Sequence, residues 1–434
     1  MATPPRAWLG RVMGVAVLIL GLSFGACQQQ SETPVALHAP VRSTPVVLDD
    51  SDGPLVRVRL AHATRRIQVA APSLLVIRDG GGRANRRTLA APLTIYRTSG
   101  AFRLEPGRGA ALRWRTPTLW IETSAADRHI RIKNHDYPGQ IRLLADDDAP
   151  DRFDMINHLH MERYLPGVLD RELFSHWHPT MFLAQAIAAR SYAMHKIQIG
   201  RRGDFDLEAT TASQVYGGWT QNARALEAVD TTRGLVLTYG QEVLPAYYSS
   251  CCGGTSQDAS LAFPDGDDAA PLRGRQRGGW CAGSHYHRWG PLVRPTSTLV
   301  RRIALWGRAH GHRVAALRSL SQIRVERRNS VGRPSQLEIR DRRGRTFDIR
   351  SESFRHACNY KHASLPSVAA SRRLPSAHVN IAVNATRVCF TNGRGHGHGV
   401  GLCQYGAEAL ACSGYNAASI LNFYYAGATV RSMY

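Results

Sequence analysis

Glu172 stands in apolar company. In the run Arg171-Glu172-Leu173-Phe174-Ser175-His176-Trp177 a single carboxyl is followed by leucine, phenylalanine and tryptophan. Such neighbours disfavour the charged carboxylate and hold the acid protonated toward neutral pH. A protonated acid in a partly apolar pocket can hand its proton to a leaving oxygen, the step that glycosidic cleavage demands. Ordinary glycosidases set a second carboxylate across the sugar, and no second acid lies on a comparable motif. A different chemistry would use a thiolate, Cys403 or Cys251 activated by a histidine such as His398, for peptide or amide hydrolysis. His396-x-His398 lacks further spaced ligands, and no CxxC pair or Cys/His spacing of zinc type occurs, so neither a metal nor another cofactor is expected. The glycine-rich run Gly393-Arg394-Gly395-His396-Gly397-His398-Gly399 lets backbone approach a ligand closely. It is no phosphate cradle, because it lacks the strand-to-helix setting and the Lys-Ser/Thr ending.

These residues need elements to position them. From Leu55 to Leu144 short apolar runs (Val56 to Leu60, Arg66 to Ala70, Leu75 to Arg78, Leu119 to Glu122, Ile130 to Lys133) alternate with Gly, Pro and Asp breaks and predict strands. Further strands are expected at Leu235 to Tyr239, Val243 to Tyr248, Ile323 to Arg327 and Leu337 to Asp341. Helical periodicity is clearest from Pro179 to Ile197, where proline suits the first helical position. Leu299 to His310 and Ala407 to Cys412 also read as helices. The chain is therefore expected to be α+β, with mostly antiparallel sheet and a few helices. Its 434 residues exceed the usual single-domain size, which favours one large domain plus an accessory module.

The first 27 residues read as an export signal: Arg6 and Arg11 precede the apolar run Val12 to Leu22, and Phe24-Gly25-Ala26-Cys27 resembles a lipoprotein processing site with Cys27 as lipid acceptor. Gln28 after the cysteine favours the outer membrane. Residues 28 to 52 have the Gln, Ser, Pro and Asp character of a flexible tether, and no later run is long and apolar enough to cross a bilayer. A periplasmic, lipid-anchored protein is the expectation. Outside the reducing cytosol the seven further cysteines are free to pair, and seven is odd. The formal charge of +22 attracts polyanions. Export removes nucleic acid as a partner and leaves wall polymer or anionic lipid headgroups; an arginine-rich genome explains the charge equally well.

Three stretches carry a resemblance. The first is ERYLPGVLDRELFSHWHPTMFLAQAIAARSYAMH from Glu162, with a Tyr-Leu-x-Gly-Val turn, an acidic residue and an Ala-Gln-Ala-x-Ala-Ala-Arg-x-Tyr-Ala helix. The second is TTASQVYGG from Thr210, continuing to AYYSSCCGGTS at Ala246 to Ser256. The third is GRGHGHGVGLCQYGA from Gly393, followed by ILNFYYAGATV, and WCAGSHYHRW from Trp280 lies between. Together they resemble the SpoIID/LytB family of sporulation and cell-wall lytic proteins over residues 130 to 434, whereas a β-rich module, residues 53 to 129, matches poorly.

The resemblance implies a peptidoglycan lytic transglycosylase that cleaves MurNAc-GlcNAc bonds of peptide-stripped glycan strands to 1,6-anhydromuramyl ends, with Glu172 as the acid. A non-catalytic, glycan-binding enhancer of a cell-wall amidase is the alternative within the same family. Arg190, Tyr286 and Arg288 match positions that support the chemistry. An arginine touching Glu172 would lower its pKa, so Arg190 is expected to contact substrate or stand a shell away; a structural clamp between helix and loop is its other reading. Gln185, Gln214, Tyr216, Tyr248, Ser250, His398 and Gln404 offer amide, hydroxyl and ring groups suited to sugar. Where some relatives carry a metal-binding His-Cys pair this chain has Ala212-Ser213. Cysteines replace residues at 251, 252 and 403, which implies a disulfide near the cleft, with Cys252 and Cys403 as one pairing.

Overall fold

The structure, a computed structural model, describes residues 52–80, 85–124, 129–200 and 203–434. The expected export signal with Cys27, and the expected tether apart from Asp52, lie outside the described residues. Alternating apolar residues do produce strands from Leu55 onward, in two sheets. The seven-stranded sheet runs in space Leu207–Glu208, Leu55–Thr64, Phe153–His160, Gln140–Ala145, Thr118–Thr123, Leu75–Asp79, Arg86–Leu89. The six-stranded sheet runs His135–Pro138, His129–Ile132, Arg66–Ala70, Leu93–Thr98, Ala101–Pro106, Leu112–Trp114. Every second residue points inward, as the two-residue period requires: Val56 and Val58, Ile67 and Val69, Leu119 and Ile121, Ile141 and Leu143 are all buried in one shared core.

The boundary expected between residues 129 and 130 falls inside this layer. His129–Ile132 pairs with Arg66–Ala70 in the six-stranded sheet, and Phe153–His160 is the main partner of Leu55–Thr64. Leu207–Glu208 then returns from the helical part to edge the seven-stranded sheet in parallel. The β-rich part thus runs on to His160 and shares its core with the helices that follow.

The strand Phe153–His160 leads directly into helix α1 (Met161–Glu172), and α2 (Pro179–Gly200) follows after a short loop. Helix α2 is apolar around most of its circumference, and residues from Met181 to Ala193 are nearly all buried, as expected for a helix with protein on every side. Its alanines let neighbours approach closely. The Tyr-Leu-x-Gly-Val stretch, expected as a turn, is helical and includes Pro166. Gly167 explains why: a Cβ there would stand 1.9 Å from the carbonyl oxygen of Gly218, so the glycine admits a close crossing rather than a turn.

A second hydrophobic cluster, including Leu299, Ile303, Trp306, Leu337, Ile339, Phe354 and Phe390, is built from the helices Thr296–Ala309 and Ser351–Asn359 and two three-stranded sheets. Residues 292–391 form this lobe, and most of the arginine-dense stretch lies in it. The chain then returns through the glycine-rich loop to Leu402–Cys403, which pairs in parallel with Tyr248–Ser249. Antiparallel sheets with eight helices among the described residues make the protein α+β.

Candidate active site

Glu172 is the last residue of α1 and is partly buried. Its Oε1 accepts the Val215 N–H at 2.9 Å, and the Gln404 amide donates to both its Oε2 and its backbone carbonyl at 3.3 Å. Gln404 directly follows the glycine-rich loop, and Val215 belongs to the TTASQVYGG stretch, so the three motif stretches meet on this one carboxyl. The crossing at Gly167 and Gly218, with the Gly217 N–H donating to the Gly167 carbonyl at 3.2 Å, brings the second stretch under α1. Burial pushes the Glu172 acid above its ordinary value, and the Val215 and Gln404 donors only partly offset this. No cation is hydrogen-bonded to it among the described residues.

An aromatic group flanks the acid. Phe174 is exposed, while Trp177 is buried; their rings lie 5.3 Å apart, and Tyr405 meets Trp177 edge-on at 5.1 Å. Such a face suits the apolar side of a sugar ring. Tyr405 was missed by the sequence reasoning, although it follows Gln404 in the quoted motif and its aromatic neighbourhood was the available signal. Val215 acts through its backbone N–H, which no residue type announces.

The remaining expected site residues divide into two groups. Gln214 is fully buried: its amide donates to the Ala189 carbonyl at 3.2 Å and the Tyr248 hydroxyl at 2.9 Å, and it accepts from the Tyr164 hydroxyl at 3.2 Å. Tyr216 is buried and donates to Asn157 Oδ1 at 3.1 Å. Both brace the floor of the site and offer a sugar no free surface. Gln185 is also fully buried, with neither amide atom hydrogen-bonded. Tyr248 is partly exposed, and its phenol is pushed well up by burial and then by the nearby Glu172.

Of the readings open for Arg190, a substrate contact, a place one shell away or a structural clamp between helix and loop, the geometry is that of the clamp. Its guanidinium is 0% exposed and grips Glu162 with two hydrogen bonds, at 2.9 and 2.7 Å, while also reaching Thr232 and the carbonyls of Val229 and Leu235. All of this is clamping between α1, α2, helix α3 (Ala223–Thr231) and the segment that follows it. Tyr286 stacks on His396, centroids 4.2 Å apart, and its carbonyl accepts the Gly395 N–H at 2.7 Å, so the segment from Trp280 lies along the glycine-rich loop. Gly395 must be glycine here, with φ of +80° and a Cβ position 2.6 Å from the Cys251 carbonyl oxygen. Arg288 is exposed and lines a depression of about 380 Å³ with Trp289, Asn392 and Gly393. Ser250 contributes its carbonyl, which accepts the Tyr405 N–H at 3.1 Å. His398 packs on Phe263 and Tyr247, and burial takes its ring down to about 4, so it is neutral at physiological pH.

The cysteines are not as expected either. Cys251, Cys252, Cys281, Cys358, Cys389 and Cys403 are free thiols, and Cys252 meets Cys403 through a backbone N–H to Sγ contact at 3.2 Å rather than a disulfide.

The protein is thus an α+β fold in which three motif stretches converge on one partly buried carboxylic acid. Residues 150–239 match the family model described as stage II sporulation protein (SpoIID). An uncharacterized protein of Brachyspira hyodysenteriae is 30% identical over 278 residues, which cover 64% of this chain and 68% of that protein. The amidase enhancer of Bacillus subtilis is 26% identical over 296 residues, 62% of this chain but only 40% of that longer protein. Stage II sporulation protein D of Bacillus subtilis is 23% identical over 292 residues, 63% of this chain and 75% of its own. The chain belongs to the SpoIID/LytB family. A cell-wall-related role comes with that membership.

Proposed function

We propose that the protein is exported and cleaves the glycan strands of peptidoglycan as a lytic transglycosylase, with Glu172 as acid and then base. The observation that carries this reading is the state of one carboxyl: buried enough to be pushed toward its neutral form, held in place by two neutral donors, and without a hydrogen-bonded cation among the described residues. In the first step the Glu172 proton passes to the glycosidic oxygen as the bond from that oxygen to C1 of the muramyl sugar breaks. The substrate's own acetamido group stabilises the electron-poor anomeric carbon. The Glu172 carboxylate then takes the proton of the C6 hydroxyl as its oxygen bonds to C1, which leaves a 1,6-anhydromuramyl end and restores the acid. One carboxyl suffices, and no water is consumed. Phe174 and Tyr405 would seat the sugar, and Arg288 and Tyr286 would hold its acetamido or lactyl oxygens further along the strand.

The second reading, a non-catalytic glycan-binding partner of a wall amidase, is favoured by the likeness to the amidase enhancer and by the number of motif residues committed to internal bracing. Peptide-free glycan, prepared with an amidase and analysed by mass spectrometry, separates the two. The expected result is anhydro ends with the wild-type protein and about 10²- to 10⁴-fold less product with Glu172→Gln, the usual contribution of general acid-base catalysis. Undiminished product from the variant would remove Glu172 from the reaction. Absence of product with wild type, together with faster amidase turnover, would establish the enhancer.

A further inference from the structure

Cysteines from three distant parts of the chain bring their sulfurs together beside this site. Cys251 and Cys252 follow the strand Tyr248–Ser249, Cys281 lies in the segment leading to Tyr286, and Cys403 immediately precedes Gln404. The Sγ atoms of Cys251, Cys281 and Cys403 all lie within 4.8 Å of one another, and all three residues are buried. Cys252 Sγ is 3.8 Å from Cys281 Sγ, and His287 Nδ1 is 3.2 Å from the same sulfur. Two sulfurs bound tetrahedrally about 2.3 Å from a shared zinc ion stand about 3.8 Å apart, whereas a disulfide would draw them to about 2.05 Å.

A second, independent observation concerns charge. Arg333 and Arg277 are 3% and 4% exposed. Arg333 donates to the carbonyls of Cys252 at 2.8 Å, Thr255 at 2.9 Å and His398 at 3.2 Å. Arg277 donates to Ser256 Oγ at 3.3 Å and to the carbonyls of Tyr424, at 2.9 Å, and Phe423. Among the described residues neither guanidinium has a carboxylate at ion-pair distance; Glu352, the acid acting on Arg333 from further off, is paired with Arg355 and His356. Buried guanidinium groups call for a countercharge. A divalent ion held by three or four thiolates is a net anion and supplies one.

We propose that Cys251, Cys281 and Cys403 form a three-thiolate centre for a soft divalent ion of the zinc class, with the fourth ligand drawn from Cys252 or His287. Thiolates select such an ion over magnesium or calcium, and binding releases the thiol protons to solvent. Burial of the sulfurs marks the centre as structural rather than catalytic. It would lock together the ends of three site-forming segments, one of them a residue away from the Gln404 amide that holds Glu172. The centre stands on sulfur geometry and charge, so it survives or falls independently of the transglycosylase reading.

The test uses the full chain, produced with zinc in the medium and freed of loose metal. The expected result is about one zinc per chain by mass spectrometry of the metal, a cobalt-substituted form with strong thiolate-to-metal charge-transfer bands, and a denatured, unreduced chain with the mass of fully free thiols. Cys281→Ser and Cys403→Ser should abolish binding, while Cys358→Ser and Cys389→Ser should keep it. Of Cys252→Ser and His287→Ala, the one that weakens binding identifies the fourth ligand. Because a serine variant could fail to fold, cobalt titration of the wild-type chain decides alone. A wild-type protein that takes up neither zinc nor cobalt overturns the centre, whether its cysteines are then free or joined in disulfides.

Discussion

Helix α1 carries a carboxylate near each end, and the two have opposite surroundings. Glu162, in its first turn, is locked to Arg190 at 2.7 and 2.9 Å and also accepts the Gly234 N–H and the Tyr434 hydroxyl. Glu172, at its last residue, accepts among the described residues one backbone N–H and one side-chain amide, and burial pushes its acid up. The same residue type on the same helix is in one case clamped by a guanidinium and in the other desolvated beside neutral donors. The cation makes the difference: at Glu162 a buried guanidinium matches the carboxylate, whereas at Glu172 burial acts without one and pushes the acid up. The arginine of the motif thus braces the first turn of α1 and makes no hydrogen bond to Glu172 at its last residue.

Removing the cation breaks the first half of this contrast and has the largest expected effect on folding. Arg190→Met leaves Glu162 buried without its partner and should lower stability in urea denaturation by about 3–5 kcal/mol. The double variant Glu162→Gln with Arg190→Met should recover much of that, because an apolar and a neutral polar side chain replace an unpaired charge. If Arg190→Met loses less than about 1 kcal/mol, the range of a surface pair, Glu162 and Arg190 do not form the clamp described above.

The contrast also shows what the residue string carries and what it withholds. The helix from Pro179 was legible because its periodicity is local, as were strands such as Arg66–Ala70 and Leu235–Tyr239. Helix α1 was not: Pro166 and Gly167 are breakers by composition, and only the Gly218 backbone pressing on Gly167 reveals their use. Val243 to Tyr248 reads as one strand but pairs only at its two ends: Val243 joins Thr238 in a local hairpin, whereas the partner of Tyr248 is Leu402, far away in sequence. Glu172 and Gln404 could be chosen from their motifs, whereas the Glu162–Arg190 pair depends on a tertiary contact between two helices. The sulfur cluster was invisible for the same reason: residues 251, 281 and 403 have no local spacing to recognise, and the expectation of no metal rested on local spacing.

Changing the acid itself sharpens the second half of the contrast, with an effect of the opposite sign. The Glu172 pKa is raised in the folded state, so the unfolded chain ionises first as pH rises past about 4.3, the ordinary glutamate value. The fold loses stability from there upward until the folded-state acid has also ionised. Glu172→Gln escapes this loss. The variant should match wild type near pH 4 and exceed it at neutral pH in denaturant titrations. An equal or lower stability at both pH values would mean that the carboxyl is solvated like any surface glutamate.

The smallest expected effect separates the two donors that hold Glu172. Val215 acts through its backbone and cannot be removed by substitution, but Gln404→Leu deletes one hydrogen bond to the charged form of the acid. Such a bond contributes about 1 kcal/mol, and it favours the ionised state, so its loss should raise the acid further. A reaction that needs protonated Glu172 then keeps its activity to higher pH: the alkaline limb of anhydro-end formation should move upward in Gln404→Leu. A limb that moved downward would mean that the Gln404 amide presents its oxygen, not its nitrogen, to a protonated Glu172 and so stabilises the neutral acid. In that case the residue after Cys403 would tune the proton donor rather than oppose it, and the difference between the two ends of α1 would be greater still.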